Sequence, residues 1–416
     1  MSTRSPNGPN GAAAEWRAHW TLALAALAGY STIGLQSYGI SPFVTHLEAE
    51  FGWSRSDVMT GISLSNFAGI FLNIIIGMIV DRFGSRRVGL TGVVVKTSAF
   101  ALLATATGTL LDWSFLWLLV AVGVVLVQST VWMRALARHF DRSRGFAFAF
   151  ALSGTSLMAI FLPAYATWLI QQFDWRTAFV GVGMTWLALS LPIVFFLFRE
   201  DRGPREEQPA ADAPPARLPG FTFREGLRTR PFWLLVISFG CFSFFSMTVV
   251  TNLLPLLSEA GGISAMEAAG IASIMGLVGL GVRLSVGAAL DRLPGNVIGA
   301  ITLLMPVIGS SILLMDAPGP ILLSVAVAAF GAAVGAEMDV ALYLATRHFG
   351  LKAFAALFNA VITCGAVMAA LGPMVGGKLH DLTGNYDALL MTIVGLMSAG
   401  ALSMALIGKT PPEVPE

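Results

Sequence analysis

Charge is scarce in this chain: 12% of its 416 residues are charged, 56% are hydrophobic, and the mean hydropathy is +0.75. A soluble domain carries about 25% charged residues, so most of this surface cannot face water. The net charge of +1 leaves no electrostatic excess to hold a nucleic acid. Cysteine is nearly absent. Cys241 and Cys364 both sit in apolar runs, which argues against a disulfide framework and against a zinc site. The five histidines show no metal-ligand spacing of the HExxH kind, so neither metal nor cofactor is expected. No nucleophile–base pair or metal constellation stands beside a phosphate-binding loop, which argues against an enzyme. No stretch outside the apolar runs is large enough for a receptor's binding or signalling domain.

Long apolar runs are what the chain has. A bilayer core takes about 20 apolar residues per helix. Such runs cover roughly 20–45, 57–80, 88–110, 114–137, 145–171 and 177–198, then 231–256, 266–290, 296–315, 319–345, 353–377 and 387–408. The pattern predicts an all-α membrane protein of twelve transmembrane helices in two six-helix bundles. The first residues, "MSTRSPNGPNGAAAE", read as a flexible tail over 1–19 rather than a signal peptide. Bundles over 20–198 and 231–408 flank a charged, Pro-rich linker over 199–230, which ends in a short surface helix near Phe223–Thr229. Residues 409–416 form a second tail.

Basic residues set the orientation. With the N-terminus inside, the inner loops hold Arg82, Arg86, Arg87, Arg138, Arg142, Arg144, the basic linker, Arg292, Arg347 and Lys352, while the outer loops hold little beyond Arg55, Arg176 and Lys378. The bias places both termini and the linker in the cytoplasm and the chain in the cell's inner membrane.

The halves repeat. At an offset of 210 residues, Gly52 pairs with Gly262, Gly69 with Gly279, Gly77 with Gly287, Asp81 with Asp291, Arg82 with Arg292 and Pro163 with Pro373. Six helices per half makes these parallel repeats, the arrangement of transporters whose substrate sits between two bundles at the midplane.

"GMIVDRFGSRR", Gly77 to Arg87, joins the second and third helices. Gly77 permits close helix approach, Asp81 can pair with arginines or helix ends, and Arg86 and Arg87 anchor the cytoplasmic side. A basic topogenic loop is the simpler reading; the partial copy "GAALDRLPG" one offset later favours a gate made of Gly77, Asp81, Arg82, Gly84, Arg86, Arg87, Asp291 and Arg292. Here the chain resembles the major facilitator superfamily, whose signature in this loop is G-x-x-x-D-[RK]-x-G-x-[RK]-[RK]. "EFGWSRSDV" before the second helix, "GAEMDVALYLATRHFGLKAF" at the tenth and an arginine in the eighth are similar to its monocarboxylate transporter and oxalate–formate antiporter branch.

That arginine is Arg283. Eight residues before Asp291, it lies ~12 Å along the axis, close to the midplane of a ~30 Å core. An arginine at that depth costs at least ~2.5–3.5 kcal/mol unless it faces protein or water. It is either one member of a structural ion pair or the group that receives an anionic substrate, whose carboxylate fits the guanidinium fork in two parallel hydrogen bonds. The resemblance implies the second, since an arginine at this place in the family contacts the substrate carboxylate. Its repeat counterpart is Asn73, polar and uncharged. Two departures stand out. Animal monocarboxylate transporters carry an aspartate one turn before this arginine, where this chain has Gly279. Oxalate carriers add a lysine in the eleventh helix, where "FNAVITCGAVMAALGP" carries no charge.

Glu337 and Asp339 lie in the tenth helix, two residues apart and therefore on different faces. Burial penalises a carboxylate's charge, which suits reversible protonation, so either is a candidate proton carrier. Helix-packing glue is the alternative. Lys96 in the third helix reads as a snorkelling or packing lysine. Tyr30, Gln36, Tyr38, Gln128 and Tyr343 are candidate cavity linings. The reading is a secondary transporter of a small organic anion, a short-chain or aromatic monocarboxylate, working in the lipid bilayer by alternating access with a proton or counter-anion. An exporter of hydrophobic compounds on the same fold, or a membrane receptor that moves nothing, are the alternatives.

Overall fold

The computed structural model describes residues 10–140, 143–199, 221–290, 292–350 and 352–408. Among them every element is helical. Six long helices form each half. They are α1 (Asn10–Ser31, resuming as Gly34–Gly39), α2 (Arg55–Phe83), α3 (Ser85–Leu102), α4 (Leu110–His139), α5 (Arg144–Gln172) and α6 (Trp175–Leu197). The second half holds α7 (Arg230–Gly261), α8 (Ala265–Leu290), α9 (Gly295–Leu313), α10 (Pro320–Phe349), α11 (Phe354–Thr383) and α12 (Asp387–Leu406). Ten of these, all but α1 and α2, are long and apolar enough among the described residues to cross a membrane. α1 and α2 stand where the first two predicted spans fall, though α1 begins at Asn10, earlier than hydropathy alone suggests.

Local chemistry explains the starts and stops. Ser54 and Asp57 form a reciprocal capping box that opens α2. Thr109 and Asp174 cap α4 and α6 with their side chains. The five-residue helix Phe223–Leu227, at the end of the linker, has its own box from Thr222 and Glu225. Gly52 and Gly262, partners under the repeat offset, both turn the chain with left-handed φ, 66° and 58°.

Packing follows the repeat. Within the halves, α2 on α4, α3 on α4 and α3 on α6 recur as α8 on α10, α9 on α10 and α9 on α12. Between the halves, α2 packs on α11, and its repeat partner α8 packs on α5. That exchange is what an axis running between two parallel repeats produces. Glycine lets both contacts close: a Cβ on Gly377 of α11 would lie 2.8 Å from Ser56 Cα, and one on Gly276 of α8 would lie 2.7 Å from the Ile160 nitrogen.

Three helices of the first half are interrupted: α1 at Thr32–Ile33, α4 at Val127–Gln128 and α5 at Ser153. Their repeat counterparts α7, α10 and α11 run unbroken. A break in a membrane helix frees backbone groups that must be satisfied from within. Trp132 Nε1 donates to the Val127 carbonyl at 2.9 Å, and Thr32 Oγ1 to the Gly29 carbonyl at 2.7 Å.

Candidate functional site

Arg283 and Asp339 are brought together by two glycines. α8 and α10 run side by side in the same direction, with Gly331 against Met275 and Gly335 against Gly279. A Cβ at Gly335 would collide with the Gly279 carbonyl, and one at Gly279 would come within 3.1 Å of the Gly331 oxygen. One turn further along each helix stand Arg283 and Asp339. Arg283 Nε lies 3.9 Å from Asp339 Oδ2, the outer edge of an ion pair. Both side chains keep some access to solvent, 18% for Arg283 and 39% for Asp339. Arg283 therefore has a partner, loosely held and still reachable.

Across from it lie two of the expected residues. Tyr30 and Tyr38 of α1, both half-buried, fall within electrostatic reach of Arg283. Asn73 is exposed on α2, and Gln128 sits half-buried in the break of α4. Tyr343 is placed elsewhere, against Gly295 of α9 with the Arg347 guanidinium 5.6 Å from its ring centre. Gln36 is buried among polar partners of the first half. Its Nε2 donates to Asn66 Oδ1 at 2.6 Å, and its Oε1 accepts from Ser65 and Lys96, each at 3.4 Å. Lys96 is wholly buried, so it does not snorkel; its amine ends at Gln36.

Glu337 points the other way from Asp339. Phe330, Glu337 and Leu344 are seven residues apart on one stripe of α10, and Phe330 and Leu344 pack on Gly309 and Gly295 of α9. The same register sets Glu337 opposite Thr302. The carboxyl is fully buried, and neither oxygen has a hydrogen-bond partner among the described residues. The expected divergence of the two carboxylates is thus present, and only Asp339 faces Arg283.

The loop motif is described in part. Gly77 lies in α2, and Gly84, with φ 81°, separates α2 from α3. Arg86 Nη2 donates to the Phe195 carbonyl at 2.9 Å, tying α3 to α6. The Arg82 guanidinium stands 5.5 Å from the Phe83 ring centre, and Arg87 and Arg292 are exposed. The side chain of Asp81 and residue Asp291 lie outside the described residues.

At the opposite end, a cluster that the sequence reading passed over joins the halves. Arg55, 5% exposed at the start of α2, holds Glu48 in a two-pronged contact of 2.6 and 2.8 Å. Its Nη1 reaches into the second half, to Glu259 Oε1 at 3.0 Å and Tyr386 Oη at 2.6 Å. Asp381 accepts from the backbone N–H groups of Arg55 and Ser56 at 2.9 and 3.0 Å. His380 adds a contact to Glu259 at 3.0 Å. Burial raises the Tyr386 hydroxyl above its ordinary value, against the pull of Arg55. Nearby, Ser41 Oγ accepts from the Leu254 N–H at 2.9 Å. The signal in the sequence was an arginine in a loop set otherwise poor in them.

Twelve helices in two repeated bundles, with a charged pair between α8 and α10, are the architecture of a membrane transporter. A model of the Major Facilitator Superfamily matches residues 26–373, and the chain belongs to that family. Proteins named monocarboxylate transporters are among the relatives it is similar to. Monocarboxylate transporter 13 of Bos taurus is 25% identical over 323 residues, 77% of this chain and 73% of that protein. Monocarboxylate transporter 11 of Homo sapiens is 25% identical over 404 residues, 92% of this chain and 81% of that one. The solved structure of a bacterial homolog to the human lysosomal transporter Spinster, inward-facing and occupied, superposes with a TM-score of 0.64 at 17% identity, covering 94% of each chain.

Proposed function

We propose that this transporter carries a small organic monoanion, a monocarboxylate, by alternating access and couples it to a proton. The observation that carries the reading is the loose Arg283–Asp339 pair, 3.9 Å apart and within electrostatic reach of Tyr30 and Tyr38. A substrate carboxylate can take two parallel hydrogen bonds from the guanidinium, a better match than the long contact to Asp339. Displaced from Arg283, Asp339 loses its counter-charge and takes up a proton more readily. Substrate and proton then bind together and leave together. The names of the relatives support a monocarboxylate; the chain's own support is one cation for one carboxylate.

The basic loops favour both termini and the linker in the cytoplasm of an inner-membrane protein. In that orientation the Arg55 cluster holds the outer face closed. The bundles over 20–198 and 231–408 rock about the central site, and the Gly77–Arg87 loop with Asp291 and Arg292 holds the inner face closed in the opposite form. Purified protein reconstituted in vesicles tests the reading. An imposed proton gradient drives accumulation of a labelled monocarboxylate, and unlabelled monocarboxylates compete. Uptake that ignores both the gradient and the competing anions sinks the proposal.

A further inference from the structure

Arg55 is not the only basic group at its end of the seam. His380, near the end of α11, places Nε2 3.0 and 3.3 Å from the two Glu259 oxygens and 3.4 Å from Arg55 Nη1. Arg55 Nη1 and His380 Nε2 thus converge on one oxygen, Glu259 Oε1, each at 3.0 Å. So short a contact with a carboxylate puts the ring proton of a neutral imidazole on Nε2. Nδ1 has no hydrogen-bond partner among the described residues, and the side chain is 16% exposed, so a second proton has a place to sit. The cluster is lopsided about the seam. Arg55 and Glu48 belong to the first half; Glu259, His380, Asp381 and Tyr386 belong to the second. The tie from Arg55 to Glu259 crosses between the halves, whereas the tie from His380 to Glu259 stays within one.

We propose that His380 is a proton-binding site separate from Asp339, and that protonating it releases the latch that Arg55 makes between the halves. The inference rests on the reading of the Arg55 cluster as the latch of the outer face. A neutral His380 lends Glu259 a hydrogen bond and leaves the carboxylate's charge to Arg55. A charged His380 draws that charge into its own half, and it stands as a like charge beside the Arg55 guanidinium. Both effects weaken the tie that crosses the seam. The other groups around the ring do not reverse the sign. Glu48 is held in the two prongs of Arg55, and Asp381 by the N–H groups of Arg55 and Ser56. Tyr386, its ring centre 4.7 Å from that of His380, gives its hydroxyl proton to Asn252. Histidine changes charge between about pH 5 and 8, so acid on the outer side opens that side. A proton-driven carrier then presents its interior to the compartment richer in protons.

The test uses the full-length protein in detergent, with Cys241 and Cys364 replaced by alanine and a reporter thiol at Ser41→Cys behind the cluster. Labelling by an impermeant thiol reagent is timed at several pH values, alongside the same protein carrying His380→Gln. Glutamine keeps an N–H for Glu259 but takes up no proton, and the reporter thiol's own ionisation is common to both proteins. The rate with His380, divided by the rate with His380→Gln, should rise at least ~5-fold from about pH 8 to about pH 5.5. His380→Arg, permanently charged, should label fast throughout. His46, exposed on the same face and lining a cavity with Glu259, is the control. His46→Gln should leave the acid response intact; a response lost in that variant assigns it to His46 and overturns the proposal. A ratio that ignores pH, in a protein whose labelling Arg55→Ala still speeds, overturns the proton site and leaves the latch standing. Labelling that Arg55→Ala does not change overturns both.

Discussion

Asp339 reaches Arg283 from a neighbouring helix, with 3.9 Å between Oδ2 and Nε. The position one turn before Arg283, Gly279, is pressed against Gly331 and Gly335, and a Cβ there would come within 3.1 Å of the Gly331 oxygen. The carboxylate stands one turn beyond Gly335 instead, so close helix contact and a charged partner coexist. Asp339→Asn should abolish accumulation driven by a proton gradient while sparing exchange of labelled for unlabelled substrate. Full gradient-driven uptake in that variant moves the coupling group elsewhere.

Glu337 should behave in the opposite way. It is fully buried with both oxygens unpartnered among the described residues, and such a group costs roughly 1–3 kcal/mol. Glu337→Met, of similar length, should raise the melting temperature and leave proton coupling intact. A lower melting temperature, or uncoupled transport, would show that the carboxyl has work this geometry does not explain.

Arg283 distinguishes a binding group from a structural one. The pair is long and partly solvated, so Arg283→Ala should cost about 1 kcal/mol of stability or less. Substrate binding should vanish, and Arg283→Lys, which keeps charge but not the planar fork, should bind weakly. An unstable Arg283→Ala protein, rescued in stability and transport by adding Asp339→Asn, is the result that refutes the role.

The Arg55 cluster predicts a change in accessibility. Ser41 is 2% exposed behind it. In a background with Cys241 and Cys364 replaced by alanine, a thiol at Ser41→Cys should resist a membrane-impermeant reagent. Adding Arg55→Ala strands Glu48 and Glu259 and should raise the labelling rate severalfold. An unchanged rate means that helix packing alone closes this end.

Glu50 supplies a pH signature. Hydrogen bonds from Trp175 and then Arg176 hold its carboxyl below the usual glutamate value. Its contribution to stability is complete above pH ~4.3, the ordinary value, and is lost as pH falls through the lowered one. Glu50→Gln should flatten the acid limb of a stability profile and leave neutral pH unchanged. An acid limb identical in both proteins removes Glu50 from the account.

The fold was legible because its signals are periodic and local: apolar runs of membrane length, and glycines such as Gly52 and Gly262 that recur at one offset. The opposed faces of Glu337 and Asp339 follow from their spacing. Three things were out of reach. The breaks in α1 and α4 carry no proline, and the Val127 carbonyl is satisfied by a tryptophan five residues on. Lys96 looked free to snorkel because its partner, Gln36, is 60 residues away. The Arg55 cluster joins residues separated by 204 to 331 positions, a proximity that only tertiary packing creates. Tyr343 failed for a related reason: hydropathy says that a tyrosine is near the interior, not which neighbour it faces.

Asp381 grips α2 through the peptide N–H groups of Arg55 and Ser56, and the Ser56 and Ser54 hydroxyls add to the hold. Every amino acid except proline presents the peptide donor. The seam is therefore unequal: a substitution at Ser56 leaves its backbone half in place, whereas a change at Asp381 removes the whole of it.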